Sequence, residues 1–231
     1  MTRGLHVLEA IAEHQPVGLT ALCAATGEDK SALQRTLATL NEAGWIHRVG
    51  AATPQWELAT KPLVMLGRVR KSASIASRAR ELLGPLRDAT GETVHLSLLD
   101  GPTLVVADVA ESSQIVRTAL PIGQIHPLET SAAGRVIMSH LSPAERRDRA
   151  ASPDKLLPDV EFEEIRQLGW ASNTGAVLEG SNSVGAAVLD LDGAPVGAIV
   201  ISAPATRLPE EKCAEYGTAL LAATAQLTGH R

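Results

Sequence analysis

Leu19-Thr20-Ala21-Leu22-Cys23-Ala24-Ala25-Thr26-Gly27 is followed by Asp29-Lys30-Ser31-Ala32-Leu33-Gln34-Arg35-Thr36-Leu37-Ala38-Thr39-Leu40. Gly44-Trp45-Ile46-His47-Arg48 and Trp56-Glu57-Leu58 come next. This stretch predicts a short helix, a glycine turn, a second amphipathic helix and a small β-hairpin, in that order. Thr20 suits the N-cap of the first helix, Gly27 its left-handed end, and Asp29 the N-cap of the second. On the second helix Leu33, Leu37 and Leu40 share one stripe at the i, i+4, i+7 spacing, which calls for burial. The opposite face carries Ser31, Gln34, Arg35, Ala38 and Glu42, with Lys30 at its edge. The whole order is that of a winged helix-turn-helix, which presents one helix to the DNA major groove.

Entering the groove by its amino-terminal half, that helix would offer Ser31, Gln34, Arg35 and Ala38 to bases or phosphates. Small residues at 31 and 38 permit close approach. The fork geometries of Arg35 and Gln34 suit guanine and adenine. Arg48 and Gln55 flank the hairpin turn Val49-Gly50-Ala51-Ala52-Thr53-Pro54-Gln55, within reach of phosphate or the minor groove. The alternative for the hairpin is a solvent-exposed turn without contacts, and for Arg35 a solvated surface arginine. Before this motif, Leu5, Leu8, Ile11 and Ala12 predict a further amphipathic helix ending near Gln15-Pro16.

The 231 residues carry a net charge of −5, which argues against nucleic acid until the chain is divided. Residues 1–71 hold eight Lys/Arg against six Asp/Glu, a net of +2; the remainder holds 13 against 20, a net of −7. The positive charge therefore lies with the motif that needs phosphate contacts. A domain this weakly basic calls for a second copy, so a homo-oligomer is expected. With 45% hydrophobic but only 2% aromatic residues, the core rests on Ala, Leu, Val and Ile. No run of about 18 apolar residues occurs, so no membrane-spanning helix is expected. The start, Met1-Thr2-Arg3-Gly4-Leu5-His6, lacks a signal-peptide cleavage site. Cys23 and Cys213 fit reduced thiols better than a disulfide frame. A cytoplasmic location is expected.

Lys61 to Leu86 reads as a helical connector that includes the basic run Arg68-Val69-Arg70-Lys71. Beyond Gly91 the period changes. Thr93–Leu99 and Thr103–Val109 predict strands joined at Asp100-Gly101-Pro102, and Val116–Leu120 a third. A helix over Ser131–Leu141 follows the loop Pro121–Pro127. Ser142-Pro143-Ala144-Glu145 is a capping box with Pro at the first helical position. Glu161–Leu168 is another helix, Val184–Leu191 and Val196–Ser202 are strands turning at Asp192-Gly193, and Pro209–Leu227 is the last helix. Hairpins with interspersed helices predict an α+β domain with one central antiparallel sheet. The expected division is 1–60 for the winged helix-turn-helix of three helices and a β-hairpin wing, 61–73 for a linker helix, and 74–231 for a second domain.

At this point the chain resembles the IclR-type bacterial transcriptional regulators over its whole length. In the first half the resemblance rests on Leu19–Leu22, Lys30–Leu40 and Gly44. In the second it rests on Gly91-Glu92-Thr93-Val94-His95-Leu96, Pro127-Leu128-Glu129-Thr130-Ser131-Ala132-Ala133-Gly134-Arg135, Gly169-Trp170-Ala171 and Gly197–Leu208. The resemblance implies a GAF-like effector-binding domain in 74–231, dimers or tetramers, and operator binding controlled by a small molecule. Two departures stand out. Val177-Leu178-Glu179-Gly180 holds neither the acidic residue nor the Pro that usually precede that glycine in their usual places, and Ala187-Val188 replaces a usual Pro-Val. The loop borders the ligand pocket in relatives, so effector identity does not carry over.

A helix beginning near Ser131 presents the free N–H groups of Ala132 and Ala133, an anion site reinforced by the helix dipole. A small carboxylate, aliphatic or aromatic, is the expected guest. The resemblance places Asn173, Ser183 and Ser202 on the opposite wall, and His126 precedes the helix. The alternatives are hydroxyls satisfied by backbone for the serines, and surface or core histidines for His126 and His95. The seven histidines include no i, i+4 pair, and there is no Cys-x-x-Cys, so no metal or cofactor is expected. Neither a Gly-x-Ser-x-Gly elbow nor a phosphate-binding Gly-x-x-x-x-Gly-Lys occurs, and an enzyme has no constellation to rest on. The rival readings are a small-molecule sensor or enzyme with a vestigial helix-turn-helix, and a ligand-independent DNA-binding protein.

Overall fold

The computed structural model describes residues 2–50, 53–66 and 72–228. The chain forms two compact units, Met1–Arg70 and Lys71–Arg231. In the first, α1 (Thr2–His14), α2 (Leu19–Thr26) and α3 (Lys30–Glu42) pack beside a three-stranded sheet of β1 (Val17–Gly18), β3 (Gln55–Leu58) and β2 (Ile46–Val49), in that order. Val7, Ile11, Leu22, Leu33, Leu37 and Ile46 fill the core, and Leu40 packs at its margin. Asp29 caps α3 as expected. Its carboxylate accepts from the N–H groups of Ser31 at 3.0 Å and Ala32 at 2.9 Å, which contributes about 1 kcal/mol. Gly27 closes α2 at φ 70°, a conformation that favours glycine.

Three expectations change in this unit. Thr20 lies inside the first turn of α2; the N-cap is Gly18, without a side-chain cap. The cause is β1, absent from the sequence reading, which pairs Val17 with Trp56 and starts the helix early. On α1 the buried pair is Val7 and Ile11, one turn apart, while Leu5 faces solvent. The stretch read as a 61–73 linker holds α4 (Lys61–Leu66) in the first unit and the start of the next helix in the second. Ala51-Ala52 and Arg68-Val69-Arg70-Lys71 lie outside the described residues.

The second unit is built on one antiparallel sheet in the order β6-β5-β4-β9-β8-β7. Its strands are β4 (Thr93–Asp100), β5 (Thr103–Ala110), β6 (Ile125–His126), β7 (Trp170–Thr174), β8 (Ser181–Leu189) and β9 (Pro195–Pro204). Alternation along the strands sorts residues to two faces. Val94, Leu96, Val184, Ile199 and Ile201 pack under α5 (Ser72–Thr90) and α9 (Glu210–Thr228). Ala198, Val200 and Ala171 pack under α6 (Ala132–Ser139) and α8 (Asp159–Leu168). The capping box at Ser142 and Glu145 starts α7 (Pro143–Arg149) as expected. The expected strand at Val116–Leu120 does not form. Val116 is exposed, the Thr118 carbonyl accepts from the Thr93 hydroxyl at 2.8 Å, and the edge partner of β5 is β6 instead. The opposite edge, β7, went unread.

The amino end of α6 is pinned closely. A Cβ at Gly134 would overlap the Leu128 carbonyl. Gly134→Ala should therefore lower the unfolding free energy of this unit by about 1–3 kcal/mol, read from urea denaturation. An unchanged midpoint would contradict this packing.

Candidate functional site

Each unit carries a candidate site. In the first, Lys30, Ser31, Gln34, Arg35 and Ala38 are all exposed on α3 while Leu33 and Leu37 point inward. Thr20, Lys30, Gln34 and Arg48 surround one groove of about 650 Å³ between α2, α3 and the hairpin. Ser31, Arg35 and Ala38 lie outside that groove. The Ser31 hydroxyl donates to Asp29 at 2.7 Å, so its proton is engaged. Gln55 is half-buried, its amide donating to the Pro16 carbonyl at 3.4 Å. The Asp29 carboxyl is held below its ordinary range, first by the Ala32 N–H, then by the Ser31 hydroxyl, with Arg35 also contributing. Among the described residues Lys30 and Arg48 enter no ion pair, which leaves their charge available to an anion.

In the second unit, all seven residues expected at the effector site line one cavity: His126, Ser131, Ala132, Ala133, Asn173, Ser183 and Ser202. Their roles separate on inspection. The Ser131 hydroxyl donates to the Pro127 carbonyl at 2.6 Å and accepts from the Gly134 N–H at 3.0 Å. Asn173 donates to the Thr130 carbonyl at 2.6 Å and accepts from the Ala176 N–H at 2.9 Å. Both side chains are therefore framework, holding the start of α6 and the turn after β7. The N–H groups of Ala132 and Ala133, at the first two helical positions, have no acceptor among the described residues. Ser183 and Ser202 are cross-strand partners whose hydroxyls make no hydrogen bond among the described residues.

The structure adds His95, Thr118, Leu120, Val177, Leu178, Ser181 and Val200 to the wall. His95 stands on β4 opposite Val200 of β9, which in turn lies opposite Gly185 of β8. The His95 and His126 rings meet edge to face, with centroids 5.8 Å apart. Both are buried, and His95 Nδ1 and His126 Nε2 have no partner. Burial, with His126 alongside, pushes the His95 pKa down to about 3, and burial lowers that of His126. Among the described residues no Asp, Glu, Lys or Arg lines the cavity, so its attraction for an anion comes from the dipole and N–H groups of α6 and from neutral hydroxyls. At about 30 Å³ it has room for roughly one water molecule. Among the described residues no cluster of three or more His, Cys, Asp or Glu could hold a metal, and no helix is long and apolar enough to cross a membrane.

Comparisons with known proteins cover both sites. Residues 67–228 match the family described as bacterial transcriptional regulator IclR C-terminal, and residues 1–50 match the IclR helix-turn-helix domain. The acetate operon repressor of Salmonella typhimurium is 27% identical over 99% of this chain and 88% of its own length. The transcriptional repressor IclR of Escherichia coli is 26% identical with the same coverages, 99% and 88%. The solved structure of the Thermotoga maritima IclR shares the fold at a TM-score of 0.74 and 24% identity, covering 98% of this chain and 96% of that one.

The buried histidines set a pH dependence. Because the folded-state pKa of His95 lies below its unfolded value of 6.5, the unfolded chain binds more protons in acid. The contribution is fully present above pH 6.5 and is lost as pH falls toward 3. NMR titration should find the His95 ring neutral throughout pH 5 to 8. A His95 midpoint near 6.5 would contradict its burial.

Proposed function

The chain belongs to the IclR family of bacterial transcriptional regulators, and from that premise we propose that it is a cytoplasmic homo-oligomeric switch. Its first unit grips double-stranded operator DNA, and a small carboxylate in the cavity of the second sets how tightly. The relatives it matches are named as repressors and regulators, not enzymes. The observation that carries the effector reading is the pair of free N–H groups at Ala132 and Ala133, opening into a wall with two free hydroxyls. Such donors favour an anion at a helix start. With no cation in the wall, a single carboxylate suits the site better than a dianion.

The operator reading rests on α3. Ser31, Gln34, Arg35 and Ala38 face solvent, and Lys30 and Arg48 flank the groove beside it. Arg35 supplies a bidentate donor for guanine or phosphate, while Thr20 and Gln55 make contacts at the margins. The two copies that a +2 domain requires meet through apolar surface; α4 exposes Leu63 at 68%, Val64 at 55% and Met65 at 45%. Effector binding acts as a population shift, transmitted along the chain that joins the units.

The narrow cavity favours one rival, a ligand-independent DNA binder, and its unpartnered polar groups oppose it. A carboxylate needs more room than one water. The turn between Gly175 at φ 72° and Gly180 at φ 76° carries Val177 and Leu178 into the wall. Its outward movement supplies that room.

Arg35→Ala should reduce operator affinity by about 1–3 kcal/mol or more with effector binding unchanged; undiminished gel-shift affinity would remove Arg35 from the interface. Ala132→Asp should repel the carboxylate, so calorimetry showing unaltered affinity would refute the anion site. In a thermal-shift screen of aliphatic and aromatic carboxylates, a true ligand at 100 times its Kd stabilises by about 2.7 kcal/mol.

A further inference from the structure

Two groups in the cavity have no part in holding a carboxylate. His95 and His126 are 2% and 5% exposed, and neither ring makes a hydrogen bond to the protein. A neutral imidazole carries one N–H donor and one lone pair, and leaving either of them buried without a partner is unfavourable. Leucine or phenylalanine would fill the same space without that cost. The free ring atoms, His95 Nδ1 and His126 Nε2, therefore point to a guest.

The guest must also reach the start of α6. A Cβ at Gly185 would lie 3.2 Å from the Ala132 carbonyl carbon and 3.3 Å from the Ala133 nitrogen, so the helix end rests on that position. Gly185 and His95 are two strands apart in the same cross-strand row. That is about 10 Å at the backbone, and the imidazole closes much of it. A ligand of few atoms spans the rest.

We propose that His95 and His126 together receive a hydroxyl group of the effector, so that the cavity selects a short hydroxy acid, its carboxylate on the Ala132 and Ala133 N–H groups. The inference rests on the carboxylate reading above. A hydroxyl donates to one ring lone pair and accepts from the other ring's N–H, which gives both free atoms, His95 Nδ1 and His126 Nε2, a partner. A keto oxygen or second carboxylate only accepts, so it serves the pair only when both rings turn an N–H toward it, whereas a hydroxyl serves rings that present one N–H and one lone pair. An ammonium only donates, and no acid in the wall balances its charge.

The test is calorimetry on the full chain with lactate, 3-hydroxypropionate, propionate and malonate. At least one hydroxy acid should bind about tenfold or more tighter than propionate, the analogue that leaves the polar groups unpaired. His95→Leu and His126→Leu should each abolish that preference, and far-UV circular dichroism reports that the variants fold. Equal affinity of wild type for hydroxy acids and propionate overturns the hydroxyl seat and leaves the carboxylate reading standing. Preference for malonate, or a hydroxy-acid preference that survives both leucine variants, overturns it as well. Failure of all four acids to bind overturns both readings. The wild-type comparison decides without any variant.

Discussion

Helix α6 rests its amino end against the sheet because position 185 of β8 carries no side chain, and the cavity depends on that approach. Any Cβ there would meet Ala132 and Ala133 at 3.2 to 3.3 Å. Gly134 presses the other side of the helix onto the Leu128 carbonyl. Ser131 caps the helix and ties it to Pro127, and Asn173 ties Thr130 to the turn beyond β7. With the helix held down, its first two N–H groups open into a closed space instead of water, where a dipole acts through a low dielectric. The same contact converts one sheet face into the cavity floor. Thr93, Ser202, Ser183 and Asn173 form one polar row across four strands, and His95, Val200 and Gly185 the next.

Paired charges brace this framework at its ends. Glu92, just before β4, receives both Arg207 nitrogens at 2.6 and 2.7 Å, and Arg207 follows β9. The pair fastens the two central strands where the polar row lies. Farther out, the buried Arg146 donates to the carbonyls of Met138 and Leu141, which close α6, and to Asp159 of α8. Arg207 meets Glu92 in fork geometry, and the buried Arg146 has three oxygen partners, which makes its charge tolerable there. The glycine-flanked turn at 175–180 has no such brace at its tip, where Leu178 is 49% exposed. The braced parts hold the start of α6, and in the proposed switch the turn is the part that yields to a ligand.

Local chemistry was readable wherever a short-range rule governs it. Asp29, Ser131 and the Ser142–Glu145 box act on N–H groups two or three residues away, so the sequence places those helix starts. The leucine stripe of α3 likewise carries its own face. Thr20 was misplaced because β1 is fixed by Trp56, 39 residues after Val17. Val116–Leu120 has strand-forming residues but no free edge to pair with, since β6 occupies it. His95 was the costliest omission. Thr93, His95 and Ser97 at every second position look like a solvent face, but Thr93 is tied to Ser112 and Thr118 and the His95 ring meets His126, all from a distant segment. The spacing held the signal, but the covering element could not be inferred from β4 alone.

The proposed metabolite control of DNA binding is a coupling between two units of one chain, and coupling is reciprocal. The direct test is to measure effector affinity by calorimetry with and without saturating operator DNA, selected from random duplexes. The operator affinity is then measured with and without saturating effector. The account predicts that both change by the same factor, in the range of about 5 to 150. Effector affinity indifferent to bound operator would contradict it, leaving a DNA-binding unit and a ligand cavity without a switch between them.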